Sequence, residues 1–318
     1  MSHPIAEVPT GSVSRFSQRL LPLLYQHRLM STSQLHYLLT PHTKRPEYLL
    51  RQLRHLRTMG LVESVDRRAS RLGRCELLWH VTAAGCEVVE AGNVVTTRSY
   101  RMSARAASSQ LQEHTLAVVD TGITFTKWAE RLGDECGSLD WEPELAHRVR
   151  EGDNRMGDDA FLVPDAVLRY THTTQEGRRQ MLTFFLEIDR STMQVARLGQ
   201  KLSTYARYAT YTPLPGKRRQ TRGVLREAWR DRYPVFPRLL IVLSGAGPAA
   251  LPAALARRTT DLRALAAVDP RLSQGGLLRA GVTTAELLQE KGPFAPVVTP
   301  LLGPPELTNV LLTPFPEA

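Results

Sequence analysis

Between Ser14 and Gly92 three short amphipathic segments are followed by two five-residue strand-like runs, and none of these pieces can hold its shape alone. Helices this short are marginal in water without tertiary packing, so they must cover one another's apolar faces. Ser14 is placed to cap the first, which carries Phe16, Leu20, Leu23 and Leu24 on one side. Ser31 opens the second, with Leu35, Leu38 and Leu39, and Thr40-Pro41 stops it. Thr43 precedes the third, with Pro46 in its first turn, where a missing N–H is tolerated. Its apolar positions Leu49, Leu53, Leu56 and Met59 step by four, three and three residues, and Gly60 ends it. Residues 61–65 and 77–81 then read as two strands around the polar tip of residues 66–74, and Thr82 begins a closing helix.

Three short helices followed by a two-stranded ribbon is the winged form of the helix-turn-helix, expected here over residues 14–92. The charge agrees with that reading. Residues 1–110 carry 15 Lys and Arg against 7 Asp and Glu, whereas the remainder of a chain of net charge +10 is nearly balanced. A local positive excess attracts a polyanion, and phosphate contacts dominate nucleic-acid affinity. The third helix would read bases. Lys44 and Arg45 stand at its start, and Arg51, Arg54 and His55 lie off its apolar stripe. Arg67, Arg68, Arg71 and Arg74 crowd the ribbon tip, where they suit phosphates or a minor groove. Double-stranded DNA is the partner this implies.

Other classes find little support. Cys75, Cys86 and Cys136 have no metal-ligand spacing and are too few for a disulfide framework. The first 16 residues hold no apolar run of the signal-peptide type, and no stretch approaches 18 apolar residues. A cytoplasmic protein with no membrane span is expected.

Residues 93–107 read as a polar linker, and a long helix follows to about residue 132, weakened in its second half by Gly122 and the β-branched Ile123 and Thr124. Strands are expected at 161–169, 181–189 and 239–243, with helices at 191–209 and 249–267. From residue 292 onward seven prolines suggest an extended tail, 292–318. The fold class is therefore α/β, α+β overall: the winged helix-turn-helix domain, then an α/β domain over 108–291.

The chemistry of that second domain lies in its acids. Val163-Pro164-Asp165 lies on the strand expected at 161–169, near Phe184 to Asp189 (FFLEID) of the strand expected at 181–189. Residues two apart on a strand share a face, so Glu187 and Asp189 point the same way and Asp165 can join them from the neighbouring strand. Three carboxylates repel unless a cation intervenes. Mg²⁺ suits such oxygen ligands, and Asp165, Glu187 and Asp189 are its candidate ligands. Pairing of the acids with nearby arginines is the alternative.

This arrangement resembles the PD-(D/E)xK nuclease core, a restriction-endonuclease-like fold with a proline-aspartate on one strand and an acidic residue, a spacer and a lysine on the next. Asp189 stands where that lysine is expected. Lys201, on the following helix, could take its place beside Asp165, Glu187 and Asp189 as the catalytic set. Glu144, expected on an earlier helix, could supply a further carboxylate.

The segments RQLRHLRTMGLVES, WHVTAAG, LQEHTLAVVD, WEPELAHR, VPDAVL, FFLEIDRST and KLSTYARYA, in this order over roughly residues 15–245, resemble the replication-relaxation family of plasmid and integrative-element proteins. The resemblance implies a role in replication, transfer or their regulation. Two alternatives stay open: a Mg²⁺-dependent endonuclease or nickase, and a transcriptional regulator whose second domain forms a homodimer or senses a ligand.

Overall fold

The computed structural model describes residues 14–67, 76–98, 101–109, 111–151, 160–214, 226–245, 247–274 and 276–309. The chain is mixed α/β, α+β overall, and divides into two compact units, Met1–Leu116 and Ala117–Ala318.

In the first unit, α1 (Arg15–His27) starts at Ser14, whose hydroxyl accepts from Ser17 N at 3.2 Å. After the short strand β1 (Met30–Ser31), α2 (Thr32–Leu39) opens with a reciprocal cap. Ser31 Oγ accepts from Gln34 N at 3.2 Å, and Gln34 Oε1 accepts from Ser31 N at 3.0 Å, so two otherwise orphaned donors are satisfied. Helix α3 (Glu47–Thr58) buries Leu49, Leu53 and Leu56, as its spacing requires. It begins later than Thr43. The Thr43 hydroxyl donates to Thr40 O at 2.9 Å and meets the His36 ring at 2.9 Å, which ties residue 43 to the end of α2. Pro46 in turn disfavours helical backbone at Arg45, so Lys44 and Arg45 sit in the turn ahead of the helix.

Strands β2 (Val62–Asp66) and β3 (Leu77–Val81) pair antiparallel from Val62↔Val81 to Asp66↔Leu77, and β1 adds to the far side of β3. The residues between β2 and β3 that would form the arginine tip, Arg68, Arg71 and Arg74, lie outside the described residues. Helix α4 (Ala83–Ala91) is capped by Thr82 and approaches the chain so closely at Gly85 that a Cβ there would sit 2.1 Å from the Leu61 carbonyl oxygen. The segment expected as a linker is strapped to this unit instead. Arg98 N donates to the Tyr25 hydroxyl at 2.8 Å and Arg101 to Glu90 at 2.7 Å. Beyond the short helix α5 (Ala104–Ala107), Ala107 and Leu116 pack with Leu29 and Leu78.

Helix α6 (Gln112–Leu132) runs unbroken through Gly122 and its β-branched neighbours. Within the second unit, tertiary packing outweighs their weak propensity: a Cβ at Gly122 would lie 2.2 Å from the Trp141 ring, and Phe125 is fully buried. Strand β4 (Trp141–Pro143) follows, then the small pair β5 (His147–Arg148) and β6 (Phe161–Leu162). Strand β7 (Ala166–Thr173) and β8 (Arg179–Asp189) form a long hairpin, and α7 (Val195–Thr210) crosses over to β9 (Arg238–Leu243). Then come α8 (Pro252–Val268), α9 (Pro270–Ser273), β10 (Ala280–Thr284), α10 (Ala285–Lys291) and β11 (Thr299–Pro300).

The sheet order is β11-β10-β9-β8-β7-β4, with β8, β9 and β10 parallel and the other pairings antiparallel. Parallel neighbours require a crossover, which α7 supplies between β8 and β9. Strand β8 is covered on both faces: Phe184 packs against Phe125 of α6 with ring centroids 5.7 Å apart, and Phe185 against Tyr205 of α7 at 5.4 Å. That explains its unbroken apolar run. The proline-rich segment is partly built into the sheet, since β11 pairs with β10 and Val298 and Thr308 exchange backbone hydrogen bonds of 3.1 and 2.8 Å. Among the described residues no helix is long and apolar enough to cross a membrane.

Candidate functional site

Two sets of charged residues stand out, one in each unit. In the first, Glu47, Arg51, Arg54 and Thr58 step by four, three and four residues along α3, so they line the face opposite Leu49, Leu53 and Leu56. All four are exposed, with Tyr48 and His55 on one flank and Arg57 on the other. Lys44 and Arg45 extend the same basic surface from the preceding turn, and Arg51 lies over the Tyr48 ring at 5.4 Å. Tyr48 is itself braced edge-on by Phe16, with centroids 4.9 Å apart.

Arg67 does not belong to this surface. Its guanidinium donates twice to Glu113 at 2.9 Å and once to Glu76 at 3.2 Å. These carboxylates, Glu113 foremost, hold its pKa above the usual arginine value. The fork is used inside the unit, joining the ribbon to the start of α6, and is not left for phosphate.

In the second unit the strand expected over 161–169 is broken at residues 163–165, and Asp165, in the bend just before β7, is brought beside Glu187 of β8. Lys201, one turn and a half into α7, donates to Glu187 Oε2 at 2.6 Å and lies 3.8 Å from Asp165 Oδ1. The Tyr205 hydroxyl, one helical turn beyond Lys201, donates to the other Glu187 oxygen. Asp165 is held in turn by the Ile188 N–H at 2.7 Å. Glu187 is only 3% exposed, and burial pushes its carboxyl up to about 7 despite the lysine beside it. Burial also opposes charge on Lys201, but Glu187 and Asp165 overcome that and hold its pKa above the usual lysine value. Glu144 contributes to the same field. It stands in a turn just after β4 and not on a helix, with φ 52°, a left-handed conformation uncommon for a residue with a side chain.

Asp189 takes a different partner. Its carboxylate accepts from Ser191 N at 3.0 Å and from Arg258 of α8. It shares a strand face with Glu187, but that face is crossed by two helices, and each helix delivers its own cation. Among the described residues no group of three His, Cys, Asp or Glu side chains is placed to hold a metal ion. The donor set as arranged does not fit a three-carboxylate cation site: Glu187 is occupied by Lys201 and Tyr205, and Asp189 by Ser191 and Arg258. Tyr205 belongs to the Lys-x3-Tyr run that carries the family resemblance but reads from the sequence as core packing, and Arg258 is not singled out there at all. The spacing of four between Lys201 and Tyr205 was the available signal for the first, while nothing local points Arg258 at a strand nearly 70 residues earlier.

A family model described as replication-relaxation matches residues 21–225, well over half of the chain. The chain belongs to this family. The matched span takes in α3, the Asp165–Glu187 pair, Lys201 and Tyr205, and it stops before β9. Comparison with curated proteins found no match, and comparison with solved structures found none. Membership in the replication-relaxation family gives the chain a nucleic-acid-related role in replication and relaxation.

Proposed function

We propose that this replication-relaxation protein binds double-stranded DNA through a winged helix-turn-helix in its first unit, acting in the replication or transfer of a plasmid or integrative element, or in their regulation. The observation that carries this reading is the outward face of α3. Arg51 and Arg54 are exposed on the side away from the core, with Lys44, Arg45 and His55 around them. Three helices followed by an antiparallel ribbon support the motif, in which such a helix enters a major groove. Arg51 and Arg54 would contact base edges, and Lys44 and Arg45 phosphates. Arg67 serves the fold, so any phosphate contacts from the ribbon would come from Arg68, Arg71 and Arg74.

The second unit supports a nuclease-like reading with an altered centre. Asp165, in the bend just before β7, lies beside Glu187 of β8, an arrangement that supports the PD-(D/E)xK pattern, and Lys201 reaches both from α7. In that arrangement Lys201 neutralises the acids, and Tyr205 fixes the orientation of Glu187. A Mg²⁺-dependent endonuclease or nickase is the second reading, favoured by this convergence. It requires Lys201 to leave Glu187 so that a cation can enter. The test is a fluorescence-anisotropy titration of the full chain with duplex DNA, with and without Mg²⁺, followed by a cleavage gel. The proposal expects binding that weakens steeply with salt and intact DNA on the gel. Absence of duplex binding at low salt would overturn the DNA reading. Cleavage lost in both Glu187→Gln and Lys201→Met would promote the endonuclease.

A further inference from the structure

Leu49, Leu53 and Leu56 of α3 turn into the core, but Tyr48, in the first turn of the same helix, is 42% exposed. Its ring is nevertheless pinned. Phe16, near the start of α1, meets it at a centroid distance of 4.9 Å and an interplanar angle of 79°, an edge-to-face geometry that aromatic pairs favour. Arg51, three residues on and therefore its neighbour on the helix surface, holds its guanidinium carbon over the ring, 5.4 Å from the centroid. Tyr48 and Arg51 line one open hollow with Thr43, Lys44, Arg45 and Glu47.

We infer, resting on the duplex-binding reading above, that Tyr48 is a positioning residue: braced by Phe16, it holds the Arg51 guanidinium ready for a bidentate contact with a guanine in the major groove. A free arginine side chain loses much rotational freedom when its fork locks onto a base. Placing the fork before the DNA arrives reduces that loss. A ring face does this without a hydrogen-bond acceptor, so the in-plane N–H groups remain for O6 and N7 of guanine. A carboxylate would consume them, as Glu113 consumes those of Arg67.

The surroundings of Arg51 fit this role. Among the described residues it has no carboxylate partner, and Glu47, one turn before it, lies 4.0 Å from Arg45. Arg54 supplies the contrast. It is exposed on the same face but has no ring over which to settle among the described residues, so it must order itself on binding. Arg51 is therefore expected to carry the larger share of base discrimination.

The test compares the full-length chain on two duplexes: one that the wild type enriches from a randomised pool, and a random duplex of equal length. Tyr48→Ala should lower the preference for the enriched duplex roughly 5- to 100-fold, as Arg51→Ala does. Its affinity for the random duplex and its unfolding midpoint should stay at the wild-type level, which a merely structural role for the ring would not allow. Tyr48→Phe keeps the ring and should keep the preference, and Phe16→Leu should lose part of it. The double variant Tyr48→Ala, Arg51→Ala should be no worse than Arg51→Ala alone. Replacing one enriched guanine by the analogue that lacks N7 should weaken wild-type binding but not binding by Arg51→Ala. The inference is overturned, with duplex binding left standing, if Tyr48→Ala keeps the preference that Arg51→Ala loses. Additive losses in the double variant, equal losses in Tyr48→Phe and Tyr48→Ala, or no guanine whose N7 matters to Arg51 overturn it as well. A wild type that binds no duplex removes the underlying reading together with it.

Discussion

The α3 face and the acid–lysine centre treat charge in opposite ways. On α3 the arginines stand in water around an apolar stripe that holds the helix, so their charge costs the fold little and remains available to a partner. At the centre of the second unit Glu187 is almost fully buried and is tolerated only because Lys201 and Tyr205 satisfy both of its oxygens. Charge at the surface is therefore free for binding. Charge in the interior is committed to the fold, and it becomes free for chemistry only if its partner moves.

The sharpest way to break this comparison is to remove the interior cation. Lys201→Met leaves Glu187 buried beside Asp165 without compensation and should cost the second unit about 3–5 kcal/mol in urea unfolding. Pairing it with Glu187→Gln should recover about 1–3 kcal/mol of the summed loss in a double-mutant cycle. Strict additivity would show that the pair is not coupled.

Acid probes the same interior by another route. His147 is 1% exposed, its Nε2 meets the Tyr233 hydroxyl at 2.6 Å, and burial, aided by Arg232, holds its pKa down at about 4. Tyr208 and Phe185 pack against the ring. A depressed histidine contributes stability that is present above its unfolded pKa of about 6.5 and is lost as pH falls toward 4. Unfolding of the second unit should therefore become easier across that window by up to about 3 kcal/mol. His147→Phe should flatten the dependence, and a variant with an unchanged slope would remove His147 as its source.

The surface arginines should behave in the contrary manner. Arg51→Ala and Arg54→Ala are each expected to cost about 1–3 kcal/mol of discrimination between preferred and random duplexes, measured by anisotropy. Their unfolding midpoints should stay within about 0.5 kcal/mol of wild type. Arg67→Ala sharpens the contrast at the smallest scale. Its half-exposed pairs with Glu113 and Glu76 should be worth about 1 kcal/mol of stability in the first unit. The salt dependence of DNA binding should be unchanged. A flattened salt slope in that variant would return Arg67 to the phosphate-binding surface.

Much of this was legible in the chain. Ser14, Ser31 and Thr82 cap the helices they were expected to cap, and Leu49, Leu53 and Leu56 turn inward on α3. Caps and periodicity are local: they depend on residues three or four apart, which a sequence displays directly. The PD and EID motifs brought Asp165 and Glu187 side by side for the same reason, since a hairpin is a short-range object, although the strand expected over 161–169 breaks at residues 163–165 and leaves Asp165 in the bend before β7. Family membership was also legible, because the ordered motifs span most of residues 21–225.

What the sequence left open concerns which charge meets which. Asp189 was grouped with the other acids, but Arg258 arrives from α8, 69 residues away, and takes it. Arg67 was grouped with the arginines expected to meet phosphates or a minor groove, but Glu113 comes from a helix 46 residues later and accepts its hydrogen bonds. The supposed linker is fastened by Arg98 to Tyr25 across 73 residues. Composition and period determined that these elements exist and which faces they bury. Only the tertiary structure decided the ion pairs, because a buried charge is matched by whatever the crossing elements deliver within a few ångströms, and chain separation does not encode that distance.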